Sequence, residues 1–269
     1  MRSTQTSLSI RDILDCYDRA MRREVQPPGL RREAFPNLVR LVDLNGREGN
    51  VIFSSLAPHE VDDAIEEQIA YFEGIEQDFE WKVFDHDQPP DLKARLIKSG
   101  FELEDTEALL VMEIASAPKV LLQSPAREVR RITPDSVDDF KAVLFAVWGE
   151  HTFGLAERLI ASITTNPESV SIYVAYDGAR PVSCGWASFE ASHEFAGLWS
   201  GSTIPEYRQR GFYTSVVAAR VQEARQRNIR FAAVDAKPTS RPILQKLGFE
   251  IVGWSHELKW HARPTGGAD

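Results

Sequence analysis

One pattern occurs twice in the chain and constrains the fold more than any other feature. It consists of a strand-like run, an aspartate, a proline-containing turn, a short helix and Gly-Phe-Glu, and it covers residues 79–102 and 229–250. The glycines that end the two short helices, Gly100 and Gly248, lie 148 positions apart (248 minus 100). A Gly-Phe-Glu match can arise by chance, but the shared order of elements favours duplication. A length of 269 residues suits two domains of about 130 residues each.

Helical and strand-like patterns alternate through both halves. Apolar residues at helical spacing predict a first helix from about Ser9 to Glu24, and Asn45-Gly46 predicts a hairpin turn. The other predicted helices cover 58–72, 90–98, 135–148, 155–164, 211–227 and 241–246, and the predicted strands cover 38–44, 50–55, 79–84, 108–114, 169–176, 181–190, 195–203, 231–235 and 250–258. This order predicts an α/β fold in both halves. Residues 115–127 carry two prolines and weak periodicity, and we interpret them as the linker.

Charge and cysteine content exclude several classes of partner. With 31 Lys and Arg against 40 Asp and Glu, the net charge is −9, which argues against nucleic acid binding through a broad basic surface. A small anion in one local basic pocket remains possible. Two cysteines, Cys16 and Cys184, supply no disulfide framework or thiolate metal site, and the six histidines show no paired ligand spacing, so no metal is expected.

The apolar stretches favour a cytoplasmic protein without a membrane partner. Charged residues from Arg11 to Arg19 interrupt the N-terminal segment, so a secretory signal is not expected there. No stretch approaches the roughly 20 apolar residues of a membrane span. Nothing in the sequence determines the oligomeric state.

The segment 202–220 combines a strand end, a basic turn and the start of a long helix. Arg208, Arg210 and Gly211 stand in the turn, directly before the helix. The first turn of a helix carries unpaired N–H groups and a partial positive charge. Glycine lets a ligand approach the backbone, and arginines suit phosphate oxygens. The segment is typical of a site that binds a diphosphate.

Two named phosphate motifs do not fit this segment. No Gly-Lys-Ser/Thr follows, which excludes a P-loop, and the three-glycine spacing of a Rossmann fingerprint is absent. A surface turn with two solvated arginines is the remaining alternative.

A family resemblance adds to this pattern. Pro205-x-x-Arg208-x-x-Gly211 at the start of a helix resembles the acetyl-CoA signature of the GNAT N-acetyltransferase superfamily, Arg/Gln-x-x-Gly-x-Gly/Ala. Residues 240–250 are similar to the closing helix and Gly-Phe of that superfamily. The resemblance covers residues 127–260 well, and the first half shows it through its last elements only.

The resemblance implies a fold and a coenzyme site. It implies two GNAT-like domains, residues 1–123 and 124–269, each a mixed, mostly antiparallel sheet flanked by helices (α+β). The strand that ends at Thr203 would splay from its neighbour and pair with the pantetheine of acetyl-CoA, and the backbone N–H groups of residues 210–214 would hold the pyrophosphate. The implied coenzyme-binding residues are Ser202, Thr203, Arg208, Arg210, Gly211, Phe212, Tyr213, Thr214 and Ser240.

Three residues depart from the family pattern. Tyr213 stands where a second glycine or alanine is usual, and its ring is expected to lean away from the phosphates. Lys237 replaces an asparagine, and Leu244 replaces the tyrosine that often protonates the CoA thiolate. The acid is therefore absent, or another group or water takes that role.

Two residues are the candidates for the general base. Glu194 begins the strand that leads to Thr203, although the family register falls on Gly197 and a solvated glutamate in a turn is the alternative. His151 falls in a loop that commonly shapes the acceptor pocket, where Trp148, His151 and Phe153 could form an aromatic wall for a cation or ordinary interdomain packing. His193 and Asp235 are further candidates.

The first half lacks a basic glycine turn. At the matching place, Glu60, Asp62 and Asp63 suit a helix N-terminus but would repel a pyrophosphate. We therefore expect a degenerate first domain that closes the acceptor cleft. We expect the second domain to transfer an acetyl or other acyl group from acetyl-CoA to a small acceptor, and an amine is the expected acceptor class. The alternatives are a non-catalytic CoA-binding protein and an interaction protein that retains the fold.

Overall fold

The computed structural model describes residues 8–27, 29–45, 48–149, 152–190 and 192–262. The first half contains α1 (Ile10–Tyr17, continued by a wider π-type helical segment over Asp18–Arg23), β1 (Leu30–Ala34), β2 (Leu38–Asp43), β3 (Glu48–Ser54), α2 (Val61–Gly74), β4 (Asp78–Phe84), α3 (Leu92–Lys98) and β5 (Glu102–Glu113). A short helix, α4 (Lys119–Leu122), follows. The second half contains β6 (Glu128–Arg131), α5 (Val137–Trp148), α6 (Phe153–Thr165), β7 (Val170–Asp177), β8 (Arg180–Phe189), β9 (Phe195–Thr203), α7 (Phe212–Gln226), β10 (Phe231–Ala236), α8 (Arg241–Lys246) and β11 (Glu250–Trp260).

The eleven described strands form one sheet. Their order is β1-β2-β3-β4-β11-β5-β10-β9-β8-β7-β6. The β3–β4 and β9–β10 pairs are parallel and the other described pairs are antiparallel. The fold is therefore α+β, with a mixed and mostly antiparallel sheet, as the resemblance implied.

The two halves exchange their last strands. Strand β5 of the first half lies between β11 and β10 of the second half, and β11 lies between β4 and β5 of the first. Each of the two strands pairs with a strand of the other half along most of its length. The repeated order β3-α2-β4-α3-β5 matches β9-α7-β10-α8-β11, which agrees with the predicted duplication.

Helix α7 packs on the sheet through small and branched residues. Val217, Val221 and Ala224 are fully buried against the alanine-rich centre of the sheet, where Ala196 and Ala232 leave room for the helix. Burial on both faces explains why β10 begins with four consecutive apolar residues, Phe231 to Val234, rather than with an alternating pattern. Among the described residues, no helix is both long and apolar enough to span a bilayer.

The prediction of a linker over residues 115–127 is wrong. Helix α4 packs against α7, and Leu121 is fully buried in the same core. Gln222 of α7 donates to the carbonyl oxygens of Leu121 and Gln123 at 2.9 and 2.7 Å. This segment contains two prolines, and its helix has only one turn. The sequence therefore shows no helical periodicity that could indicate the contact.

Two strands were missed, and one predicted turn is only partly described. β1 and β6 are short, and β6 forms one edge of the sheet while β1 forms the other. Strands β2 and β3 pair antiparallel, as the hairpin prediction requires. Gly46 and Arg47 of the turn lie outside the described residues.

Candidate functional site

A cleft opens where the parallel strands β9 and β10 diverge. They pair only from Phe195 with Phe231 to Gly197 with Ala233. Beyond this point β9 continues to Thr203 with no described partner on its β10 side. The splay expected from the resemblance is thus present, and it borders a cavity of about 350 Å³.

A bulge in β9 shapes the inner part of this cleft. Trp186 pairs with Trp199 and Cys184 with Ser202, so β9 has one residue more than β8 over this stretch. Ser200, inside the bulge, has a φ of 48°, which is uncommon for a residue other than glycine. Bulges redirect backbone groups that would otherwise join the ladder. Here the redirected backbone lines the cleft.

The buried Arg220 of α7 supports the bulge from below. One of its terminal nitrogens donates to the carbonyl oxygens of Trp186 and Trp199 at 3.1 and 3.2 Å. A Cβ at residue 185 would lie 2.9 Å from the guanidinium carbon, so only Gly185 fits opposite this side chain. Burial lowers the pKa of Arg220. The sequence places Arg220 on a helix, but it gives no indication that this side chain lines the cleft.

The N-terminus of α7 faces the mouth of the cleft. Gly211 precedes the helix with a φ of 85°, and a Cβ there would meet no atom within 4 Å. In the described part of the chain, the amides of Phe212, Tyr213 and Thr214 donate to no carbonyl or side chain. Free amides at a helix N-terminus, beside open space, have the hydrogen-bond donors and the partial positive charge that suit an anion.

The predicted arginines brace the turn at this mouth. Arg208 donates to the carbonyl oxygen of Thr203 at 3.2 Å, and the half-exposed Arg210 forms a 3.0 Å ion pair with Asp177. Arg127 was not predicted, and it donates to the carbonyl oxygen of Arg210 at 3.0 Å. It comes from 83 positions away, within the supposed linker, so no local signal connected it to the turn.

Phe212 and Tyr213 point their side chains away from the free amides. The Phe212 ring is buried in a core beside Tyr207. The Tyr213 ring packs on Gly201, where an added Cβ would lie 2.7 Å from it, and its hydroxyl contacts Ser240. The expected orientation of Tyr213 is therefore present. The ring lines the cleft instead of covering the anion site.

The hydroxyls of Ser202 and Thr203 are engaged by the protein. Ser202 accepts a 2.6 Å hydrogen bond from the indole of Trp148, and Thr203 exchanges a 2.8 Å hydrogen bond with Ser183. The carbonyl oxygens of the two residues also accept side-chain hydrogen bonds, from Ser183 at 2.7 Å and from Arg208 at 3.2 Å. Trp148 also faces the ammonium of Lys237 at 5.2 Å, so these two side chains lie over the same end of the cleft.

A cluster of charged side chains lies at the inner end of the cleft. Lys82 is 2.8 Å from a carboxylate oxygen of Asp235 and 3.5 and 3.6 Å from oxygens of Glu107 and Glu257. Burial raises the pKa of Glu107 to about 7 and that of Glu80 to about 8, and nearby carboxylates contribute to both shifts. The second oxygen of Asp235, Oδ1, is buried and has no described partner.

Sequence reasoning found only Asp235 in this cluster. The other members come from β4, β5 and β11, which lie far apart in the chain and next to each other in the sheet. One signal was present, since Glu80 and Lys82 alternate with apolar residues in a strand near the middle of the sheet. Charged residues at such positions are rare unless they are paired.

The candidate base Glu194 lies outside the cleft. It stands before the first residue of β9, at the end opposite Thr203. There it forms a 2.9 Å ion pair with Arg19 and accepts a hydrogen bond from the thiol of Cys16. The carboxylate is thus held against α1, not beside the acyl end of the cleft.

The other residues predicted for the acceptor side do not lie together. Trp148 lines the cleft, whereas Phe153 is half-exposed and stacks on Phe145 at 6.2 Å. His193 lies in the β8–β9 connection beside an outer groove. His151 lies outside the described residues.

The equivalent opening in the first half is filled. β3 and β4 pair in parallel only as far as Val51 and Trp81. Beyond that pair, Arg22 donates to the carbonyl oxygen of Ile52 at 2.9 Å and makes two hydrogen bonds with Asp87, at 2.8 and 2.7 Å. A parallel bridge between residues 55 and 88 then rejoins the two chain segments.

Arg22 also lies among three side chains whose ligand atoms are close enough together to hold a metal ion. Ligand atoms of Asp18, His86 and Asp87 lie within 4.8 Å of one another. Arg22 lies 2.7 Å from an oxygen of each aspartate, and His86 contacts the other oxygen of Asp18 at 2.9 Å. A guanidinium therefore supplies the positive charge at this place.

Comparisons with known proteins identify the fold. No family model and no curated protein matches the sequence. A GCN5-related N-acetyltransferase from Kribbella flavida matches with a TM-score of 0.69 at 16% identity, over 98% of both chains. A tandem GNAT protein from the clavulanic acid biosynthesis pathway matches at 0.60 and 12%, over 90% of this chain and 86% of its own. A GCN5-related N-acetyltransferase from Sphaerobacter thermophilus matches at 0.56 and 10%, over 96% and 87%. The chain therefore has the fold of the GNAT N-acetyltransferases, and it resembles a tandem GNAT structure along most of its length.

Proposed function

We propose that the chain is an acyltransferase that moves an acetyl or other acyl group from acetyl-CoA to a small acceptor amine. The observation that carries this proposal is the cleft between β9 and β10, with three free amides of α7 at its mouth. A diphosphate fits the mouth, since the helix N-terminus supplies both donors and a partial positive charge. The unpaired edge of β9 suits the amides of a pantetheine arm, which can add to it as a strand would.

The inner end of the cleft suits the chemistry of acyl transfer. A thioester at the bulge of β9 would lie beside the irregular backbone of this strand and the carboxylates around Lys82. The amine loses a proton and its nitrogen attacks the thioester carbonyl, and the carbon–sulfur bond then breaks to leave an amide and a thiol. Fixed donors and positioning can supply most of the rate for such a step.

The buried Leu244 favours a second candidate, a CoA-binding protein without catalysis. Its side chain lines the cleft, where a tyrosine could have protonated the departing thiolate. Titratable carboxyls at the inner end favour the enzyme instead. Release of free thiol in the presence of amines, measured with a thiol reagent, distinguishes the two candidates.

We further propose that only the second half binds the coenzyme. Arg22 and the rejoined segments fill the first-half opening. The helix that begins there, α2, carries Asp62 and Asp63 in its first turn. A diphosphate would meet negative charge at that helix and no space between the strands, so we expect one bound acetyl-CoA per chain.

Gly211→Glu tests the anion site. A carboxylate at the mouth of the cleft would oppose the diphosphate, and we expect at least about tenfold weaker binding of acetyl-CoA by calorimetry. Gly211→Ala is the control, because it adds the same backbone strain, about 1–2 kcal/mol, without the charge. Equal affinity of the Glu variant and the unchanged protein would contradict the assignment of this site.

A further inference from the structure

A second cavity, of about 290 Å³, lies between the two halves and meets the inner end of the cleft. Both spaces are bordered by Lys82, Trp186, Trp199, Asp235 and Glu257. A group at the end of the cleft would therefore face a molecule in this cavity across the same side chains. We call this space the inter-half cavity.

The end of the inter-half cavity next to the cleft has more carboxyl groups than cationic groups. Glu80, Asp235 and Glu257 border it there, and Glu107 borders the cleft beside them. Lys82 is the cation within this group, and it is drawn to Asp235 at 2.8 Å. Several carboxyls thus share one ammonium.

Asp235 lines both the cleft and the inter-half cavity, and one of its carboxylate oxygens has no hydrogen-bond partner among the described residues. Its side chain is 5% exposed, and Oδ2 takes the contact with Lys82. Oδ1 is buried and has no partner among the described residues. A buried carboxylate oxygen without a donor is costly, because it has lost its water and gained no hydrogen bond. A cationic donor that enters the cavity would satisfy it.

The remaining walls are largely apolar. Trp186 and Trp199 lie with their rings 5.8 Å apart, and both indole N–H groups already donate to serines of the same hairpin. Tyr17, Met21 and Phe84 form the opposite side. Such walls bury an apolar body favourably and offer aromatic faces to a cation.

We propose that the inter-half cavity is the acceptor site, and that it takes a primary amine on a small apolar or aromatic body, with its ammonium on Oδ1 of Asp235. The role in acyl transfer rests on the proposed function, whereas binding of the amine does not require the coenzyme. The ammonium gives one proton to a neighbouring carboxylate, and the nitrogen then bonds to the thioester carbon. The carbon–sulfur bond breaks, and the second nitrogen proton ends on sulfur, which yields amide and thiol.

Amine binding should release protons at neutral pH. The titratable groups around the ammonium position are Glu80 and Lys82 of β4, Glu107 of β5, Asp235 of β10, Glu257 of β11 and Tyr17 of α1. Arg22 and Glu190 line the rest of the inter-half cavity, and burial raises the pKa of Glu190 to about 7. Burial raises the pKa of Glu80 to about 8 and that of Glu107 to about 7, so near pH 7 Glu80 is mostly protonated and Glu107 is about half protonated in the empty site. A nearby positive charge lowers these pKa values, and protons leave as the amine binds.

The first experiment uses 2-phenylethylamine and the full chain without coenzyme. Calorimetry in two buffers of different ionisation enthalpy should show binding with net proton release near pH 7. The neutral isostere 2-phenylethanol should bind at least about tenfold more weakly, because it cannot supply the charge. Equal binding of the alcohol, or proton uptake with the amine, would overturn the proposal whether or not any variant folds.

Two matched variants locate the ammonium. Asp235→Asn should weaken amine binding at least about tenfold. Asp62→Asn makes the same chemical change on the exposed surface of α2, outside the cavity, and should leave the affinity within about twofold. The reverse order of the two effects would place the ammonium elsewhere and overturn the assignment.

Acetyl-CoA binding, measured on the same samples, separates the two proposals. Amine binding without any affinity for acetyl-CoA would refute the proposed function and leave the cavity assignment in place. Affinity for acetyl-CoA without affinity for 2-phenylethylamine would refute the cavity assignment and leave the proposed function in place.

Discussion

A buried arginine lies at each of the two strand openings, but one opening is closed and the other is open. Arg22 fills the opening of the first half and is neutralised by Asp18 and Asp87. Arg220 lies beside the opening of the second half, and its hydrogen-bond partners among the described residues are carbonyl oxygens. In the first arrangement, the two aspartates neutralise the charge of the arginine, and the opening is closed. The second leaves positive charge beside an open cleft, where a ligand dipole can use it.

Replacement of Arg22 should destabilise the fold. Arg22→Met leaves Asp87 buried without a counter-charge, and the free energy of unfolding in urea should fall by about 3–5 kcal/mol. Arg22→Met combined with Asp87→Asn should recover part of this loss, since the uncompensated charge is gone. A loss below about 1 kcal/mol in the single variant would mean that the pair is not buried as described.

At the residue scale, the sequence located the groups whose role depends on local backbone. Gly211 was found because a left-handed residue before a helix needs little beyond its neighbours. The position of Glu194 away from the cleft could not be predicted, because its side chain pairs with Arg19, which is distant in sequence. Glu80, Glu107 and Glu257 were missed because only the sheet brings them to Lys82.

Among the elements, α4 differs most from expectation. Its residues were interpreted as a linker, but Leu121 is fully buried against α7 and Val120 is half-exposed. A helix of one turn has no detectable period, so the contact with α7 has no sequence signal. The missed edge strands have a related cause. β6, Glu-Val-Arg-Arg, is charged as exposed edges often are, and it lacks the apolar alternation of a strand.

The packing of α4 can be measured. Leu121→Ala should lower the free energy of unfolding by about 2–5 kcal/mol, because it removes a buried side chain from the core. Val120→Ala is the matched control on the exposed side and should change it by less than about 0.5 kcal/mol. Similar effects of the two variants would restore the interpretation of this segment as a linker.

At the scale of the whole molecule, the exchange of β5 and β11 joins the halves. Each of these strands pairs with strands of the other half on both sides, so neither half contains a complete sheet. A half on its own would expose the strand edges that the exchange covers, and open edges lead to aggregation. Duplication was visible in the sequence, but exchange was not, because both topologies have the same local order of elements.

The halves should therefore not fold separately. Residues 1–123 and 124–269, produced apart, should each lack cooperative unfolding by circular dichroism, whereas co-expression should give a folded complex. The whole chain should unfold in one transition. A soluble, cooperatively unfolding fragment 124–269 would show that β5 is dispensable and would contradict this expectation.

The sequence alone determined the local features: most helices and strands, the repeated order of the halves, and a glycine turn with free amides before α7. Each depends on residues within a few positions of one another, where propensity and backbone geometry act directly. Only the tertiary structure decided the exchange of strands, the closure of one opening by Arg22, and the carboxyls gathered around Lys82. Arg22 and Asp87 are 65 positions apart, and their contact exists only because burial in a shared sheet offsets the entropy of bringing distant residues together.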